Sequence, residues 1–205
     1  MTKVKICGLM ESEHVKAAVD AGADAIGFVF APSSRRVTVE QAQKLAREIP
    51  DNILKIGVFV NETLGEIKRI FEAVPLDYVQ FHGDEDAGFI REMQLPSIKA
   101  LPVKSTDDVE KAAKYDVDYY LFDAPGTVYK GGSGITFDWA LLKDAEIPVE
   151  KIILAGGLNA SNVKEAVGRV RPFMVDVSSG VELNKRKDAG LIREFIQEVK
   201  EGERL

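Results

Sequence analysis

Short apolar runs rich in valine, isoleucine, phenylalanine and tyrosine alternate with longer segments of helical periodicity along the whole chain. Runs of that length and composition indicate β-strands, whereas apolar positions that recur every three to four residues indicate amphipathic helices. The pattern predicts eight strands, at residues 3–8, 25–30, 54–60, 78–82, 98–103, 119–123, 151–156 and 173–178.

Helical patterns lie between and after these strands. Clear ones cover residues 11–22, 38–49, 63–74, 162–170 and 189–201, and less regular ones lie near 86–94 and 138–145. Gly22 predicts the end of the first helix, because glycine favours the left-handed C-terminal cap. A strand followed by a helix, eight times over, is typical of an α/β fold of the (β/α)8 TIM-barrel type. We predict that residues 1–205 form a single such domain.

An open, doubly wound sheet is the alternative architecture. That fold usually has about five or six strands and often carries a glycine-rich fingerprint after the first strand. This chain has CGLMES at that place, and its eight strands exceed the usual number. The barrel is therefore the favoured interpretation.

Composition and charge restrict the classes of function. The chain is 45% hydrophobic and 29% charged, and none of its apolar runs approaches the roughly 20 residues that span a bilayer. The first apolar segment is also too short for a signal peptide. A net charge of −6 argues against a general nucleic-acid binder, because such proteins carry a basic face. We expect a cytoplasmic protein with no nucleic-acid or membrane partner.

The single cysteine of the chain, Cys7, limits the covalent and metal chemistry. One cysteine forms no intramolecular disulfide and supplies no multi-cysteine metal set, which fits a reducing compartment. No metal cluster and no Ser/His/Asp set stands out in the sequence. We therefore expect no structural zinc site.

The barrel prediction turns sequence position into spatial position, since the carboxyl ends of the strands meet at the catalytic face. Alternation along the first strand directs Val4 and Ile6 toward the helices and Lys5 and Cys7 into the barrel. Further inward side chains are predicted on strands 4 and 8, namely Gln80, His82, Asp176 and Ser178. Strands 1 and 8 are neighbours in a closed barrel, so we predict a buried ion pair between Lys5 and Asp176 beneath the catalytic face.

Two glycine-containing loops, AGGLN and DVSSGVE, follow strands 7 and 8. In barrels these two loops frequently form a phosphate site with a helix N-terminus. Gly156 and Gly157 permit close backbone approach, Ser179 offers a hydroxyl, and Gly180 lets N–H groups turn toward an anion. Each loop alone is more often only a turn. Together, on the last two strands, they predict a phosphorylated small-molecule ligand.

A longer loop, YKGGSGITFDW at 129–139, follows strand 6. Loops of this length in compact domains often act as lids. Residues Gly131 to Gly134 therefore either close over a ligand or belong to a solvated surface loop.

Four side chains at the predicted catalytic face are candidates for chemistry and binding: Cys7, Arg36, His82 and Asp123. Asp123 is a candidate acid, with a raised pKa where it is desolvated, or else caps a turn. The guanidinium of Arg36 suits a bidentate grip on a substrate carboxylate, with Arg35 as the neighbour that does not bind. His82 is either a ligand contact or a hydrogen-bonded structural histidine.

A thiol and a carboxyl that face each other across a barrel suit proton transfer on a sugar phosphate. To act as a base, Cys7 must be partly ionised near neutral pH, which requires a lowered pKa. Lys5 and Arg36 are the two nearby cations that we expect to lower the pKa of Cys7.

Several motifs in combination resemble the phosphoribosylanthranilate isomerase family of tryptophan biosynthesis over essentially the whole chain. They are VKICGL, GADAIGFVFAPSSRRV, IGVFVNE, YVQFHGDE, LFDA, GGSGITFDW, LAGGLNASNV and VDVSSGVE. The resemblance implies an Amadori rearrangement of N-(5-phosphoribosyl)anthranilate to 1-(2-carboxyphenylamino)-1-deoxyribulose 5-phosphate, without cofactor or metal. One departure is the segment LNKRKD after Glu182, where the family often has a Pro-Gly loop.

The resemblance also implies roles for individual residues. Asp123 would be the general acid that protonates the ring oxygen, and Cys7 the general base that removes the C2′ proton. Arg36 would bind the substrate carboxylate. The phosphate would lie against Gly156, Gly157, Ser179 and Gly180. We expect His82 and Asp176 to belong to the substrate-binding set as well.

Three other functions compete with this interpretation. A histidine-pathway isomerase performs the same rearrangement but resembles a two-aspartate design, against which Cys7 argues. A dual-substrate enzyme would share every motif. A non-catalytic sensor with Cys7 as a redox switch is the third, and Asp123 and Arg36 argue against it. For the assembly, we expect a monomer or a homodimer.

Overall fold

Eight parallel strands pair in chain order and close into a barrel, because β1 pairs with β8 as well as with β2. The computed structural model describes residues 1–125, 136–143 and 146–203. The strands are β1 (Lys3–Cys7), β2 (Ala25–Val29), β3 (Leu54–Phe59), β4 (Tyr78–Phe81), β5 (Ser97–Pro102), β6 (Tyr119–Asp123), β7 (Ile152–Leu154) and β8 (Met174–Val177). The predicted (β/α)8 TIM barrel is confirmed, and only β5 begins a residue before its predicted range.

Seven α-helices lie in the described part of the chain. They are α1 (Ser12–Ala21), α2 (Val39–Ala46), α3 (Leu64–Ala73), α4 (Ala87–Met93), α5 (Thr106–Glu110), α6 (Val163–Val170) and α7 (Ala189–Gly202). Gly22 ends α1 with φ +89°, as predicted. None of these helices is long and apolar enough to cross a membrane.

The structure differs from the predicted helices at two places. Residues Trp139–Leu142 form only a 3-10 turn, where a helix was predicted near 138–145. The short helix α5 was not predicted as a separate pattern, because its sequence is polar. Only Val109 is buried along it.

Apolar side chains pack on both sides of the barrel wall. Outward residues such as Val4 and Ile6 join the large core between strands and helices. A smaller cluster fills the inside of the barrel, with members including Ile56, Ile98 and Leu121. The alternation predicted for β1 is therefore confirmed, and the polar inward positions Lys5, Cys7, Gln80 and Asp176 stand out against this apolar filling.

Three aspartates align the amino ends of the strands. Each precedes an even-numbered strand and accepts the backbone N–H of a residue near the start of the strand before it. These hydrogen bonds run from Val4 to Asp24 (2.8 Å), from Lys55 to Asp77 (2.7 Å) and from Ser97 to Asp118 (2.8 Å). Because register decides which side chains face inward, these contacts also determine which residues reach the opposite face.

A short antiparallel hairpin follows β8 and carries the chain toward α7. Its strands are β9 (Glu182–Leu183) and β10 (Arg186–Lys187), and Lys187 pairs with Glu182 in the register. A 3-10 turn over Ser179–Val181 connects β8 to this hairpin. The hairpin therefore lies next to the carboxyl ends of β8 and β1.

Candidate active site

Cys7 ends β1 and is 7% exposed, at the carboxyl end of the barrel. It pairs in register with Gly27 of β2, where a Cβ atom would lie 2.8 Å from the Cys7 Sγ atom. The next residue, Gly8, has φ +79°, and a Cβ there would lie 2.7 Å from Cδ of Arg35. Two glycines thus make room for the thiol and for the stem of Arg35 beside it.

Lys5 and Asp176 form the ion pair predicted from the alternation. The Lys5 Nζ atom lies 3.0 Å from Oδ1 of Asp176, and both side chains are buried. Burial alone would lower the pKa of Lys5, but the charges of Asp176 and Cys7 outweigh it and raise the pKa above its ordinary value. Lys5 is therefore held in its protonated form next to the thiol.

Burial raises the pKa of the Cys7 thiol above its ordinary value, and the charge of Asp176 adds to that effect. The charges of Lys5 and Lys187, together with a hydrogen bond from Lys5, act in the opposite direction. The expectation of a net lowered pKa was thus wrong for the free protein, because burial outweighs the cations. Lys5 and Lys187 are the cations with the largest effects on the thiol.

A charge cluster made of the buried Lys187 and the partly buried Arg35 and Glu182 lies beside Cys7. Glu182 accepts two hydrogen bonds from Arg35, at 2.6 and 2.8 Å, and one from Lys187 at 2.8 Å. Lys187 also donates to the carbonyl oxygen of Ser178 at 2.8 Å, and the Ser178 hydroxyl donates to the carbonyl of Cys7 at 3.2 Å. Burial would raise the pKa of Glu182, but its two cationic partners lower it overall.

Sequence reasoning did not single out this cluster. Lys187 stands in the charged run KRKD, which is typical of a solvated surface. The strand that buries it has only two residues, too few for a periodic signal. The pairing of Arg35 with Glu182 joins residues 147 positions apart, and no local pattern indicates it.

Arg36 is exposed, in contrast to its neighbour Arg35. Its backbone bridges to Val29 of β2, which places it at the mouth of the barrel. Within the described ranges, no ion pair or side-chain hydrogen bond holds its guanidinium. Because Arg35 is already paired with Glu182, Arg36 is the one of these two arginines that can bind an anionic ligand.

Asp123 ends β6 and is 8% exposed. His82 follows β4, and its Nε2 atom lies 3.4 Å from Oδ2 of Asp123. The side-chain amide of Gln80 lies 3.0 Å from Nδ1 of His82 and holds the ring from the side away from Asp123.

A cavity of about 220 Å³ opens beside this histidine and carboxyl. It lies at the ends of β4, β5 and β6, and its lining includes His82, Gly83, Leu101, Lys104, Asp123 and Pro125. A ligand in this cavity would touch the Asp123 carboxyl directly.

The two glycine loops after β7 and β8 pack against each other and against β6. Gly156 and Gly157 have φ values of +84° and +64°. A Cβ atom at Gly156 would collide with the backbone nitrogen of Ala124, and one at Gly180 with the carbonyl of Leu158. The backbone N–H groups of Gly156 and Gly157 donate to none of the described residues.

Ser179 begins the 3-10 turn that follows β8. The first N–H groups of such a turn have no acceptor within it. Together with the glycine N–H groups of the preceding loop, they form a set of donors that suits an anion.

The carboxyl ends of the strands thus bring together the residues singled out in the sequence. Cys7, Asp176 and Ser179 lie on the side of β1 and β8, and His82 and Asp123 on the side of β4 and β6. Residues Gly131 to Gly134, which belong either to a lid or to a solvated surface loop, lie outside the described residues. In the described ranges, the one set of carboxylates and histidine close enough to share a metal ion is Glu11, Glu13 and His14, and Glu11 is paired with Arg186.

Comparisons with known proteins agree with this architecture. The sequence model of the family described as N-(5′-phosphoribosyl)anthranilate (PRA) isomerase matches residues 4–198. N-(5′-phosphoribosyl)anthranilate isomerase of Bacillus cereus is 51% identical over 201 residues, which cover 97% of this chain and 98% of that protein.

Solved structures give the same result. The crystal structure of phosphoribosyl anthranilate isomerase from Thermotoga maritima is similar with a TM-score of 0.89 and 39% identity, covering 98% of this chain and 99% of that one. Phosphoribosyl anthranilate isomerase in complex with reduced 1-(o-carboxyphenylamino)-1-deoxyribulose 5-phosphate is similar with a TM-score of 0.85 and 38% identity, covering 98% and 99%. The chain belongs to the N-(5′-phosphoribosyl)anthranilate isomerase family.

Proposed function

We propose that this chain catalyses the Amadori rearrangement of N-(5-phosphoribosyl)anthranilate to 1-(2-carboxyphenylamino)-1-deoxyribulose 5-phosphate, with Asp123 as general acid and Cys7 as general base. The observation that carries the proposal is that a buried thiol and a buried carboxyl end two strands, β1 and β6, of one barrel. Family membership supports the reaction. The complex of a family relative with a reduced product supports the ligand class, a phosphorylated small molecule.

The first step is the opening of the ribose ring. The Asp123 carboxyl gives its proton to the ring oxygen, the bond from that oxygen to C1′ breaks, and the nitrogen lone pair forms the C1′=N bond of a protonated Schiff base. Asp123 must therefore enter the cycle protonated. His82 keeps the carboxyl facing the cavity by the contact between its Nε2 atom and Oδ2 of Asp123 at 3.4 Å.

The second step removes the proton from C2′. The Cys7 thiolate takes this proton, the C–H electrons form the C1′=C2′ bond, and the C1′=N electrons return to nitrogen. The resulting enolamine tautomerises, as the C2′ hydroxyl becomes the ketone and C1′ gains a proton. Reactant and product are isomers, so the reaction requires no oxidant or reductant.

Both ends of the substrate carry a negative charge, and each has a suitable partner. We assign the anthranilate carboxylate to Arg36, whose guanidinium is exposed and unpaired among the described residues. We assign the phosphate to Gly156, Gly157, Ser179 and Gly180, because the N–H groups of Gly156 and Gly157 donate to none of the described residues. Asp176, which Lys5 holds at 3.0 Å, stays a predicted member of the substrate site.

The location and the assembly of the protein stay predictions. We expect a cytoplasmic monomer or homodimer, and sedimentation of the purified protein would decide between the two assemblies.

Turnover of N-(5-phosphoribosyl)anthranilate by the wild type, Cys7→Ala and Asp123→Asn tests the proposal. Substrate and product have equal mass, so chromatography is needed to separate them. We expect wild-type turnover and a loss of about 10²–10⁴-fold in each variant, the usual contribution of a general acid or base. Unchanged turnover in either variant would refute that residue's role, and an inactive wild type would refute the reaction.

Two further arms separate the competing functions. Turnover of the corresponding histidine-pathway aminoaldose would reveal a dual-substrate enzyme. Cys7→Ser should bind the reduced product analogue as tightly as the wild type. A variant that also loses binding would contradict a purely catalytic role of the thiol.

A further inference from the structure

Lys187 is a buried cation to which the proposed reaction assigns no role. It is 6% exposed, although it belongs to a short hairpin at the rim of the barrel. Its ammonium group donates to the Ser178 carbonyl at 2.8 Å, to the Ser178 hydroxyl at 3.3 Å and to Glu182 at 2.8 Å. A lysine with three protein acceptors is held in one position rather than solvated.

The position of Lys187 connects it to the thiol through one residue. Ser178 receives the Lys187 ammonium on its carbonyl, and its own hydroxyl donates to the carbonyl of Cys7 at 3.2 Å. A displacement of Lys187 would therefore also move the end of β1, which carries the thiol.

The charges around the thiol do not cancel. Lys5 faces it from β1 and Asp176 from β8, and these two neutralise each other at 3.0 Å. Lys187 from β10 and Arg35 from the loop after β2 are two cations that share one anion, Glu182. The cluster beside the thiol thus has one positive charge in excess, and buried charges are little screened by solvent.

We propose that Lys187 is a positioning residue for the reaction: clamped by Glu182 and Ser178, it supplies the excess positive charge that favours the ionised form of the Cys7 sulfur. The inference rests on the proposed role of Cys7 as the base. Among the charges that act on the thiol, Lys187 opposes burial and lowers the pKa of Cys7, second only to Lys5 among the cations. Asp176 offsets the charge of Lys5, so Lys187 adds a second cation that opposes part of the effect of burial.

The test uses the fact that Cys7 is the only cysteine in the chain. Alkylation by iodoacetamide, measured as a rate against pH, then reports one thiol without any contribution from others. In Lys187→Met we expect the rate at pH 8 to fall about tenfold, which corresponds to a midpoint higher by roughly one pH unit. The plateau at high pH should stay within about threefold, because a change in access would alter the plateau and not the midpoint.

Lys185→Met is the matched control, since Lys185 lies in the same hairpin and is exposed. It removes the same charge from the chain and should leave the midpoint in place. Lys187→Arg keeps the charge and should keep the midpoint near that of the wild type. An unchanged midpoint in folded Lys187→Met, or an equal shift in Lys185→Met, would overturn the proposal.

Two measurements keep the result interpretable. If Lys187→Met does not fold, as judged by circular dichroism, Lys187→Gln replaces it, because it removes the same charge but keeps an amide donor for Glu182 and Ser178, and it should move the midpoint upward. A downward or absent shift there would contradict the proposal. The acid limb of the kcat/KM profile should follow the alkylation midpoint in every variant. The two proposals fail separately, because turnover by Cys7→Ser would refute the base but would leave the alkylation result intact.

Discussion

Lys5 Nζ lies 3.0 Å from Oδ1 of Asp176 at the point where β1 and β8 close the barrel, and the two residues are partners in the strand register. Both side chains point inward, and the Cys7 thiol follows two residues later on the same face of β1. The pair therefore places a cation and an anion beneath the thiol. Lys5 lowers the pKa of Cys7, whereas Asp176 raises it.

The two partners of this ion pair should have opposite effects on the thiol. Lys5→Met removes a cation and should lower the iodoacetamide rate at pH 8 by about tenfold, whereas Asp176→Asn should raise it. Each variant should also lose about 3–5 kcal/mol of unfolding free energy, because the remaining partner is left buried and unpaired. Alkylation below the unfolding transition and urea denaturation measure the two effects. Shifts of equal sign in the two variants would contradict the assigned charges.

Arg36 and Arg35 are adjacent in sequence but differ in what they contact. Arg36→Ala should raise KM for the anthranilate substrate by about 10–100-fold with a small change in kcat, as expected for the loss of a charged hydrogen bond worth about 1.5–3 kcal/mol. Steady-state kinetics at constant ionic strength check this. A KM within twofold of the wild type would show that the carboxylate binds elsewhere.

Arg35→Ala is the matched control for Arg36→Ala, because it removes the same charge one residue away. Arg35 forms an ion pair with Glu182 at 2.6 Å, so Arg35→Ala should lower the melting temperature more than Arg36→Ala does. Equal effects of the two substitutions on KM would indicate a general charge effect.

Regular periodicity explains why much of the site could be predicted from the sequence. Alternation has a period of two, so one apolar pair, Val4 and Ile6, decides where Lys5 and Cys7 point. Closure of the barrel then makes β1 and β8 neighbours, which brings Lys5 to Asp176. These steps need no long-range information beyond the number of strands.

The charge cluster next to Cys7 could not be predicted in that way. Lys187 is buried by a hairpin of two-residue strands, for which no periodic pattern exists. Its partner Glu182 also binds Arg35, which is distant in sequence. Burial outweighs the cations at the thiol, and the degree of burial depends on packing that a sequence does not show.

Gln80 orients His82 toward Asp123, so its loss should affect the acid rather than substrate binding. In Gln80→Leu the Nδ1 atom of His82 loses its hydrogen-bond partner at 3.0 Å, so the ring is no longer fixed against Asp123. We expect kcat to fall about tenfold, the value of one hydrogen bond of roughly 1.4 kcal/mol, with KM changed less than twofold. A larger effect on KM than on kcat would contradict the positioning role.

Glycine substitutions should separate the phosphate loops from ordinary glycine positions. The methyl group of Gly180→Ala would clash with the carbonyl oxygen of Leu158, so the loops after β7 and β8 must move apart. We expect a lower melting temperature and a KM higher by about tenfold or more, with inorganic phosphate weakened as an inhibitor by a similar factor. Gly65→Ala is the control, because no atom lies within 4 Å of the added Cβ and the helix should gain about 0.5–1 kcal/mol. Normal phosphate inhibition in Gly180→Ala would exclude this loop from the phosphate site.

Glu182 should make the stability of the protein depend on acid pH. Its pKa in the folded protein is lowered from the ordinary 4.5, because Arg35 and Lys187 outweigh the effect of burial. Below pH 4.5 the unfolded chain therefore binds more protons than the folded one. The stabilisation by Glu182 is complete above that pH and is lost as the pH falls through the folded-state pKa.

Glu182→Gln should remove this part of the acid dependence and flatten the curve of unfolding free energy below pH 4.5. The variant should also be less stable at neutral pH by about 3–5 kcal/mol, because Lys187 and Arg35 lose their shared anion. Urea denaturation at a series of pH values measures both effects. Glu150→Gln, at an exposed glutamate, is the control and should leave the neutral stability within about 0.5 kcal/mol. Parallel curves for the wild type and Glu182→Gln would show that the Glu182 carboxylate gains nothing from its cations on folding.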